Sequence, residues 1–462
     1  MKVRATQAIL ECLLEQEVDT VFGYPGGTIL NLYDELYHYQ DKIHHILTAH
    51  EQGASHAADG YARSTGKVGV CFATSGPGAT NLTTGIATAY MDSSPVVFIT
   101  CNVTEETLGK DAFQEVDITG IAMPITKATY LVRDPQTIPD VMRQAFAVAA
   151  TGRPGPVLID FLKNVTFPTT MIDYEFIPWK ENRSCGSIRE LNLRHGLKPP
   201  EPDLGDIDKL VEMIAQSQRP LLMCGGGVVR GRADRQFREF AEKLDCPVAI
   251  TVMGGGGFPG AHPLTTGMVG MHGTQASNTA CDQCDLLIAV GCRFSDRVAL
   301  DPASFASQAK IVQIDIDRSE IDKNILTDHH IIGSAKRVLE LLNQRVPQYH
   351  RDAWKEQILS LKREPEVETS PGPYSQAGAG DHPPHGPPGH HRGHRCGPSI
   401  RCGLSSISTS TTPASCSPAA ASAPWASDWG PPSVPRWAIR TRWWSHHWRR
   451  LLPHELPRAG HC

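Results

Sequence analysis

The sequence lacks long apolar runs, a strong charge of one sign and an apolar leader. No stretch of its 462 residues approaches the ~18 apolar residues that a membrane-spanning helix needs. Met1 to Thr6 leads directly into an amphipathic helical pattern rather than a signal sequence. Acids and bases are mixed along the first three quarters, and the formal net charge is only -5. We therefore expect a cytoplasmic protein with neither a membrane nor a nucleic acid as partner.

The thirteen cysteines show no disulfide framework, because they are scattered over a long chain. Several of them, such as Cys71, Cys101 and Cys224, lie in apolar strand-like runs. Buried free thiols in a reducing compartment are therefore the favoured interpretation. Cys281 and Cys284 have the spacing of half a zinc site, but with no second pair nearby we interpret the spacing as a structural coincidence.

Apolar runs alternate with helical patterns through most of the chain, which predicts an α/β fold. Two doubly wound parallel-sheet domains are predicted, over residues 1–166 and 202–345, joined by a linker over 167–201. A connector, 346–372, leads to a non-native or disordered tail, 373–462. The predicted strands are Thr20 to Gly23, His45 to Thr48, Val68 to Ala73, Pro95 to Cys101, Pro156 to Asp160, Pro220 to Cys224, Leu286 to Gly291 and Lys310 to Asp315.

Glu51 lies where a predicted strand meets an alanine-rich helical pattern that runs to Thr65. A carboxylate at a helix start is commonly a structural feature, because the helix dipole favours it there. The next predicted strand runs into a Gly76-Pro77-Gly78 turn, whose missing side chains let a ligand approach the backbone. Two adjacent strand ends of this kind are where α/β proteins place their chemistry.

These segments resemble the pyrimidine-binding domain of thiamine-diphosphate enzymes, and in particular the catalytic large subunit of the acetolactate synthase family. The likeness rests on Glu51 and its flanks, on Gly23-Tyr24-Pro25-Gly26-Gly27 and on Ser75-Gly76-Pro77-Gly78-Ala79-Thr80-Asn81, and it covers about residues 2–365. It implies that Glu51 activates thiamine diphosphate by sharing a proton with its pyrimidine ring, which requires an apolar surrounding. The cofactor-binding residues implied in this domain are Glu51, Gly26, Pro77, Gly78 and Asn81.

The same resemblance implies a substrate channel lined by Gly27 and Phe113, with Gln114 and Lys163 as further catalytic residues. Phe113 and Gln114 would belong to a loop that reaches the channel from a neighbouring subunit. Taken alone, a Phe-Gln pair is more often a packing feature. Leu162 departs from the family pattern, which usually has a proline before the lysine.

Glycine-dense turns follow several strands of the second predicted domain and form a plausible dinucleotide crevice. By themselves such turns are weak signals, because tight turns need glycine anyway. The resemblance implies that they bind FAD, together with an arginine of the first domain. The residues implied are Arg153, Gly225, Gly226, Gly270, Met271, His272, Gly273, Arg293, Asp296, Arg297, Asp315 and Ile316.

The tail, 373–462, is crowded with tryptophan, histidine and proline and has no apolar periodicity, so it predicts no third packed domain. We hypothesise that it is the family's diphosphate-binding and Mg²⁺-binding domain translated in shifted reading frames. His447 to Cys462 can be encoded by bases that, one base later, give Gly-Asp-Gly followed by Met-Asn, the family's metal signature. Cys416 to Gly430 and Gly389 to Gly397 also give family-like segments, in the right order. The chain as written is therefore predicted to hold no metal motif and to be inactive.

The activity implied is the condensation of two 2-ketoacids with loss of CO2, on the route to branched-chain amino acids. Pyruvate would react with pyruvate or 2-ketobutyrate in a homodimer or tetramer, with a small regulatory subunit as an open question. The alternatives are another thiamine-diphosphate decarboxylase, a pyruvate oxidase, or a non-catalytic FAD-binding remnant that pairs with a full-length subunit.

Overall fold

The structure is a computed structural model that describes residues 1–178 and 200–362. The predicted tail, 373–462, and its reading-frame hypothesis lie outside the described residues. Most of the predicted linker and the last part of the predicted connector lie outside them as well.

Residues 1–178 alternate strands and helices. The strands are β1 (Lys2–Arg4), β2 (Thr20–Gly23), β3 (His44–Leu47), β4 (Gly69–Thr74), β5 (Val96–Asn102), β6 (Ala128–Val132), β7 (Val157–Leu162) and β8 (Met171–Asp173). The helices are α1 (Ala5–Glu15), α2 (Leu30–Tyr37), α3 (Glu51–Thr65), α4 (Pro77–Thr80), α5 (Thr83–Met91), α6 (Ile118–Ala122) and α7 (Ile138–Ala150).

Six of these strands form one parallel sheet in the order β3-β2-β4-β5-β7-β6. Strand β3 lies on one side of β2, and β4 lies on its other side with the remaining strands beyond it. The strand order therefore reverses between β2 and β4. The predicted α/β fold and five of its strands are confirmed to within two residues at each end. Strand β6 was not predicted, because it is an edge strand with four half-buried residues and no apolar run. The helical segment after β4 is interrupted after Thr80, between α4 and α5.

Residues 200–362 form a second parallel sheet in the order β11-β10-β9-β12-β13-β14, which reverses between β9 and β12. Its strands are β9 (Pro220–Cys224), β10 (Val248–Ile250), β11 (Thr265–Met268), β12 (Leu286–Val290), β13 (Lys310–Asp315) and β14 (His329–Ile332). Its helices are α8 (Leu204–Gln216), α9 (Gly226–Arg230), α10 (Asp234–Leu244), α11 (Gln275–Gln283), α12 (Ala335–Arg345) and α13 (Asp352–Leu359). The three strands that were not predicted, β10, β11 and β14, have only three or four residues each.

The edges of the predicted linker and connector pack onto the two domains. Strand β8 pairs antiparallel with β1, and the buried Tyr174 donates a hydrogen bond to Glu15 at 2.8 Å. In α13, the buried Trp354 donates its indole hydrogen to the Pro220 carbonyl oxygen at 2.9 Å. These contacts attach residues 171–178 to the first domain and α13 to the second, and single anchoring aromatics of this kind give no periodic signal in a sequence.

Buried apolar residues line both faces of each sheet, which is why the central strands read as continuous hydrophobic runs. Helix α1 buries Ile9, Leu10 and Leu13 against the first sheet, on the face that the amphipathic pattern predicts. Among the described residues, no helix combines the length and apolar character needed to cross a membrane.

Candidate functional site

The first candidate site lies at the carboxyl edge of the first sheet. Because all six strands are parallel, the segments that follow β2, β3 and β4 meet at this edge. The turn with Gly26 follows β2, Glu51 follows β3, and the turn from Gly76 to Gly78 follows β4. The order reversal between β2 and β4 puts two glycine turns side by side, with the carboxylate next to them.

Glu51 is the first residue of α3 and is only 7% exposed. The Asn81 side-chain amide donates a hydrogen bond to Glu51 Oε2 at 2.9 Å, whereas no described residue donates to Oε1. His50 accepts from the Gln52 backbone N–H at 3.1 Å and so provides the N-cap of the helix. The Glu51 carboxylate is therefore not needed to cap the helix, and one of its oxygens is left for a ligand.

The glycines of the two turns are required by close packing. A Cβ atom at Gly78 would lie 3.0 Å from Glu51 Oε1 and 2.6 Å from Thr74 Cγ2, and one at Gly26 would lie 2.4 Å from Thr74 Cγ2. At Gly27 a Cβ atom would meet nothing within 4 Å. Gly26 and Gly78 thus keep the edge narrow and its backbone bare, while Gly27 faces open space, as a channel position would.

A buried hydroxyl network, which the sequence did not reveal, holds the two turns together. The Thr28 hydroxyl lies 2.9 Å from the Thr74 hydroxyl, donates to the Cys101 carbonyl oxygen and accepts from the Ser75 backbone N–H at 3.1 Å. Thr28 is the residue directly after the glycine pair, and nothing in its spacing marks it. This network fixes the turn after β2 to the end of β4.

The loop with Phe113 and Gln114 packs on the second glycine turn. Gln114 has a positive φ of 61°, and a Cβ atom at Gly76, which also has positive φ, would lie 2.7 Å from the Gln114 carbonyl oxygen. Phe113 is 86% exposed. The structure thus brings Gln114 to the turn that begins α4 and leaves the neighbouring ring free to meet another surface.

Lys163 is half-buried directly after β7, and its backbone N–H donates to the Val103 carbonyl oxygen at 3.2 Å. In the sheet it stands two strand positions from β4. The lysine therefore lies at the same carboxyl edge of the sheet as Glu51.

A second candidate site lies at the order reversal of the second sheet. A Cβ atom at Gly225 would lie 2.1 Å from the Gly291 carbonyl oxygen, and Gly291 itself has a positive φ of 61°. The Gly225 N–H donates to the Val290 carbonyl oxygen at 2.9 Å. The turns after β9 and β12 therefore lie directly against each other, and only glycine fits there.

The other predicted residues of this site follow neighbouring parallel strands. Gly270 has a positive φ of 101°, and the Met271 N–H donates to the Arg297 carbonyl oxygen at 2.9 Å. The segment after β11 is thereby tied to the segment after β12. The same carboxyl edge carries Gly226, His272, Gly273, Arg293, Asp296, Asp315 and Ile316, with Asp296 and Arg297 exposed and paired with each other at 3.5 Å.

Arg153 of the first domain reaches an acidic group beside the second site. Its guanidinium donates to Glu320 at 2.6 Å, to Asp317 at 3.2 Å and to the Ser93 hydroxyl at 2.8 Å. Burial raises the pKa of Asp315 to about 6, and the charges of Asp317 and Glu320 raise it further, while Arg153 opposes them. Arg153 thus reaches the second domain, where its partners are the carboxylates of Asp317 and Glu320.

Arg230 is a cation of this site that the sequence did not reveal. Its Nε donates to the Ser93 carbonyl oxygen at 3.1 Å, and a Cβ atom at Gly226 would lie 2.9 Å from its NH1. Burial lowers the pKa of Arg230 to about 10, and the charges of Arg63 and Arg293 add to this effect. Arg230 follows a run of three glycines without forming a recognisable motif. Only the folded structure shows that its side chain packs back against the glycine turn.

Comparison with known proteins assigns both domains. Residues 3–121 match the thiamine pyrophosphate enzyme N-terminal TPP binding domain, and residues 207–342 match the central domain of the same enzymes. A probable acetolactate synthase large subunit of Methanocaldococcus jannaschii is 47% identical over 364 residues, 78% of this chain and 60% of that protein.

Two further relatives carry similar names. An acetolactate synthase of Arthrospira platensis is 48% identical over 356 residues, covering 76% of this chain and 59% of that protein. An acetolactate synthase of Mycobacterium bovis is 46% identical over 350 residues, covering 76% of this chain and 54% of that protein. The chain therefore spans less than two thirds of the length of these relatives.

Proposed function

The chain belongs to the thiamine-pyrophosphate enzymes as a homologue of acetolactate synthase large subunits, and we propose that it serves the decarboxylating condensation of two 2-ketoacids. Its substrates would be two pyruvates, or pyruvate and 2-ketobutyrate. The observation that carries the proposal is the buried Glu51, which Asn81 binds through one oxygen while the other faces the bare backbone of Gly78.

The residues of the first site fit a flat heterocycle that exchanges a proton with a carboxyl group. Glu51 Oε1 has no described donor and would hold that proton, while the amide of Asn81 keeps the carboxyl group in one orientation. A Cβ atom at Gly26 or Gly78 would collide with Thr74, so glycine at both positions keeps the two turns packed and adds no side chain beside Glu51. Thiamine diphosphate, when bound, supplies the electron sink for decarboxylation.

FAD binding at the second site is part of the same proposal. The bare backbone of Gly225, together with Arg230 and Arg293, suits a pyrophosphate, because close approach and fixed cations are what that group requires. Mg²⁺ is proposed from the resemblance alone. Within residues 1–178 and 200–362, no group of three or more His, Cys, Asp or Glu side chains is placed to hold a metal ion.

The proposed setting is a cytoplasmic homodimer or tetramer, and a small regulatory subunit would be an additional partner. The exposed ring of Phe113 supports a neighbouring subunit, because a large apolar side chain at a loop tip gains stability by contact. The eight cysteines of the described residues are free and buried, which suits a reducing compartment.

The test pairs this chain with a full-length relative, because this chain spans only part of its relatives' length. The full chain is co-expressed with the Methanocaldococcus jannaschii subunit in which the glutamate that aligns with Glu51 is replaced by glutamine. In this superfamily the pyrimidine domain of one subunit faces the diphosphate domain of another, so a mixed pair would combine this chain's Glu51 with the relative's remaining site. We expect acetolactate from pyruvate in the mixed pair, and about 100-fold less with Glu51→Gln in this chain.

The control is Glu35→Gln, the same chemical change at another buried glutamate, which binds Arg4 and Thr6. It should lower stability without changing turnover in the mixed pair. If acetaldehyde or acetyl phosphate were the main product, the chain would serve a different thiamine-dependent reaction instead of the proposed condensation. Co-purified pairs with wild-type Glu51 that form no product at all would contradict the proposal.

A further inference from the structure

We propose that Asp160 is a positioning residue for the loop 103–116, which carries Phe113 and Gln114, and that it acts through the side-chain amide of Asn102. The importance of the loop for the channel depends on the proposed function. The coupling between the three elements depends only on the contacts described below.

Asp160 is a buried acid between two central strands. It lies on β7, directly opposite Thr100 of β5, and is 1% exposed. The Thr100 hydroxyl donates to Asp160 Oδ1 at 2.7 Å, and the Asn102 side-chain NH2 donates to Asp160 Oδ2 at 2.8 Å. The carboxyl group therefore has one donor on each oxygen, both from the neighbouring strand.

The amide of Asn102 binds both ends of the loop. Its oxygen accepts from the Val103 backbone N–H at 2.8 Å, and its NH2 also donates to the Val116 carbonyl oxygen at 3.2 Å. Val103 and Val116, which carry these backbone groups, are the first and last residues of the loop. A single side chain thus closes the loop at its base.

Asp160 and the two loop ends together determine which way this amide points. An ionised carboxyl group only accepts hydrogen bonds, so it selects the orientation in which the NH2 of Asn102 faces it. The opposite orientation would place the amide oxygen against the carboxylate and the NH2 against the Val103 N–H, and both contacts would be repulsive. Burial raises the pKa of Asp160 to about 6, against the hydrogen bonds from Thr100 and Asn102, and the charge of Asp117 adds to the rise. The group is therefore largely ionised at neutral pH.

Hydrogen bonds within the loop link the position of its base to the position of its tip. The Glu115 carboxylate accepts from the backbone N–H groups of Gly109 and Ala112, which holds residues 109–115 together as a unit. The Gln114 backbone rests against Gly76 at the glycine turn. A change at the base would therefore move this unit relative to the turn.

Hydrogen–deuterium exchange of the full chain, without cofactor or substrate, tests the coupling. Asp160→Asn is isosteric, but a neutral amide is a weaker acceptor than a carboxylate and can also present its own NH2, so the hold on the Asn102 amide weakens even though the Val103 N–H still favours the same orientation. We expect the loop peptides covering 103–116 to exchange about five- to tenfold faster, while strands β5 and β7 stay within about twofold. Thr100→Val is the matched control, because it removes the other donor to Asp160 without touching the loop, and it should leave the loop rate unchanged.

The role of Asn102 is tested in a double-mutant cycle. Asn102→Leu should accelerate the loop by a similar factor, and adding Asp160→Asn to it should produce no further acceleration. Three results would overturn the proposal: an unchanged loop in Asp160→Asn, equal acceleration of the loop and the strands, or an effect that persists in the Asn102→Leu background. None of these results depends on whether the protein forms acetolactate, so the proposed function is tested separately.

Discussion

Asn81 donates to one oxygen of the Glu51 carboxylate at 2.9 Å and leaves the other oxygen beside the Cα of Gly78. The amide sits directly after the end of α4 and the carboxylate begins α3, so the end of one helix and the start of another hold this carboxyl group. This geometry is more specific than burial of a glutamate, because it fixes which oxygen is available to a ligand.

Gly78→Ala should damage this site while the control Gly53→Ala should not. The new methyl group would lie 2.6 Å from Thr74 Cγ2 and 3.0 Å from Glu51 Oε1, so overpacking should cost about 1 to 3 kcal/mol of unfolding free energy. Gly53 lies in α3 with open space around it, and alanine there should add roughly 0.5 to 1 kcal/mol. Urea unfolding measures both changes. Equal stability of the two variants would show that the Gly78 turn is not tightly packed.

Arg230→Met should weaken flavin binding by at least about tenfold, because it removes a buried cation from the glycine turn. Arg232→Met is the matched control, since this exposed arginine lies two residues further on and contacts Gly66 instead. Titration of the full chain with FAD, followed by flavin fluorescence, gives both affinities. Equal loss in the two variants would point to nonspecific charge effects rather than a site at the turn.

Asp315→Asn should change the pH dependence of stability. The native pKa is about 6, above the ordinary value of 3.8, so the native state binds a proton that the unfolded state has released between these values. The free energy of unfolding should therefore fall as pH rises through this window, and the variant should lack up to about 3 kcal/mol of that fall. Denaturant unfolding of both proteins at pH 4 and pH 7.5 measures it.

Asp317→Asn provides a control of opposite sign. Burial acts to raise the pKa of Asp317, but hydrogen bonds from Ser319 and Arg153 lower it below the ordinary value. Its contribution to stability is present above the ordinary pKa and is lost as pH falls through the native one. Because the Asp317 charge also raises the pKa of Asp315, Asp317→Asn is compared in the Asp315→Asn background, and the assignment is wrong if it leaves the loss of stability at low pH unchanged there.

Arg143→Met should cost about 3 to 5 kcal/mol of unfolding free energy, because the change breaks a buried ion pair in which the guanidinium binds both oxygens of Glu15. Arg143 donates to both Glu15 oxygens, at 3.0 and 2.7 Å, and joins α7 to α1. The half-exposed Arg4, which pairs with Glu35 at 3.0 Å, is the comparison, and Arg4→Met should cost less than about 1 kcal/mol. Thermal and urea unfolding measure the cost of each substitution. Equal costs in the two variants would contradict this ranking.

The sequence predicted those features that depend on local pattern. Strand β9 is a continuous apolar run and β13 carries Ile311, Val312 and Ile314, so the bounds of both strands were predicted to the residue. Glu51, Gly78 and Asn81 belong to recognisable segments that follow strands of one parallel sheet, so their convergence was foreseeable.

Other features depend on contacts between distant parts of the chain. Thr28 acquires its role only when β2 lies beside β4, and Arg230 only when its side chain folds back over Gly226. The anchoring of Tyr174 to Glu15 joins residues 159 positions apart. Such contacts have no period and no motif, so sequence pattern carries no signal for them.

Ser93 accepts hydrogen bonds from one arginine of each domain. Arg153 of the first domain binds its hydroxyl, and Arg230 of the second domain binds its carbonyl oxygen. A sliding motion of the second domain over the first would stretch the Arg230 contact with Ser93 and the Arg153 contacts with Asp317 and Glu320. Moving one domain against the other would therefore cost hydrogen bonds from both arginines at once.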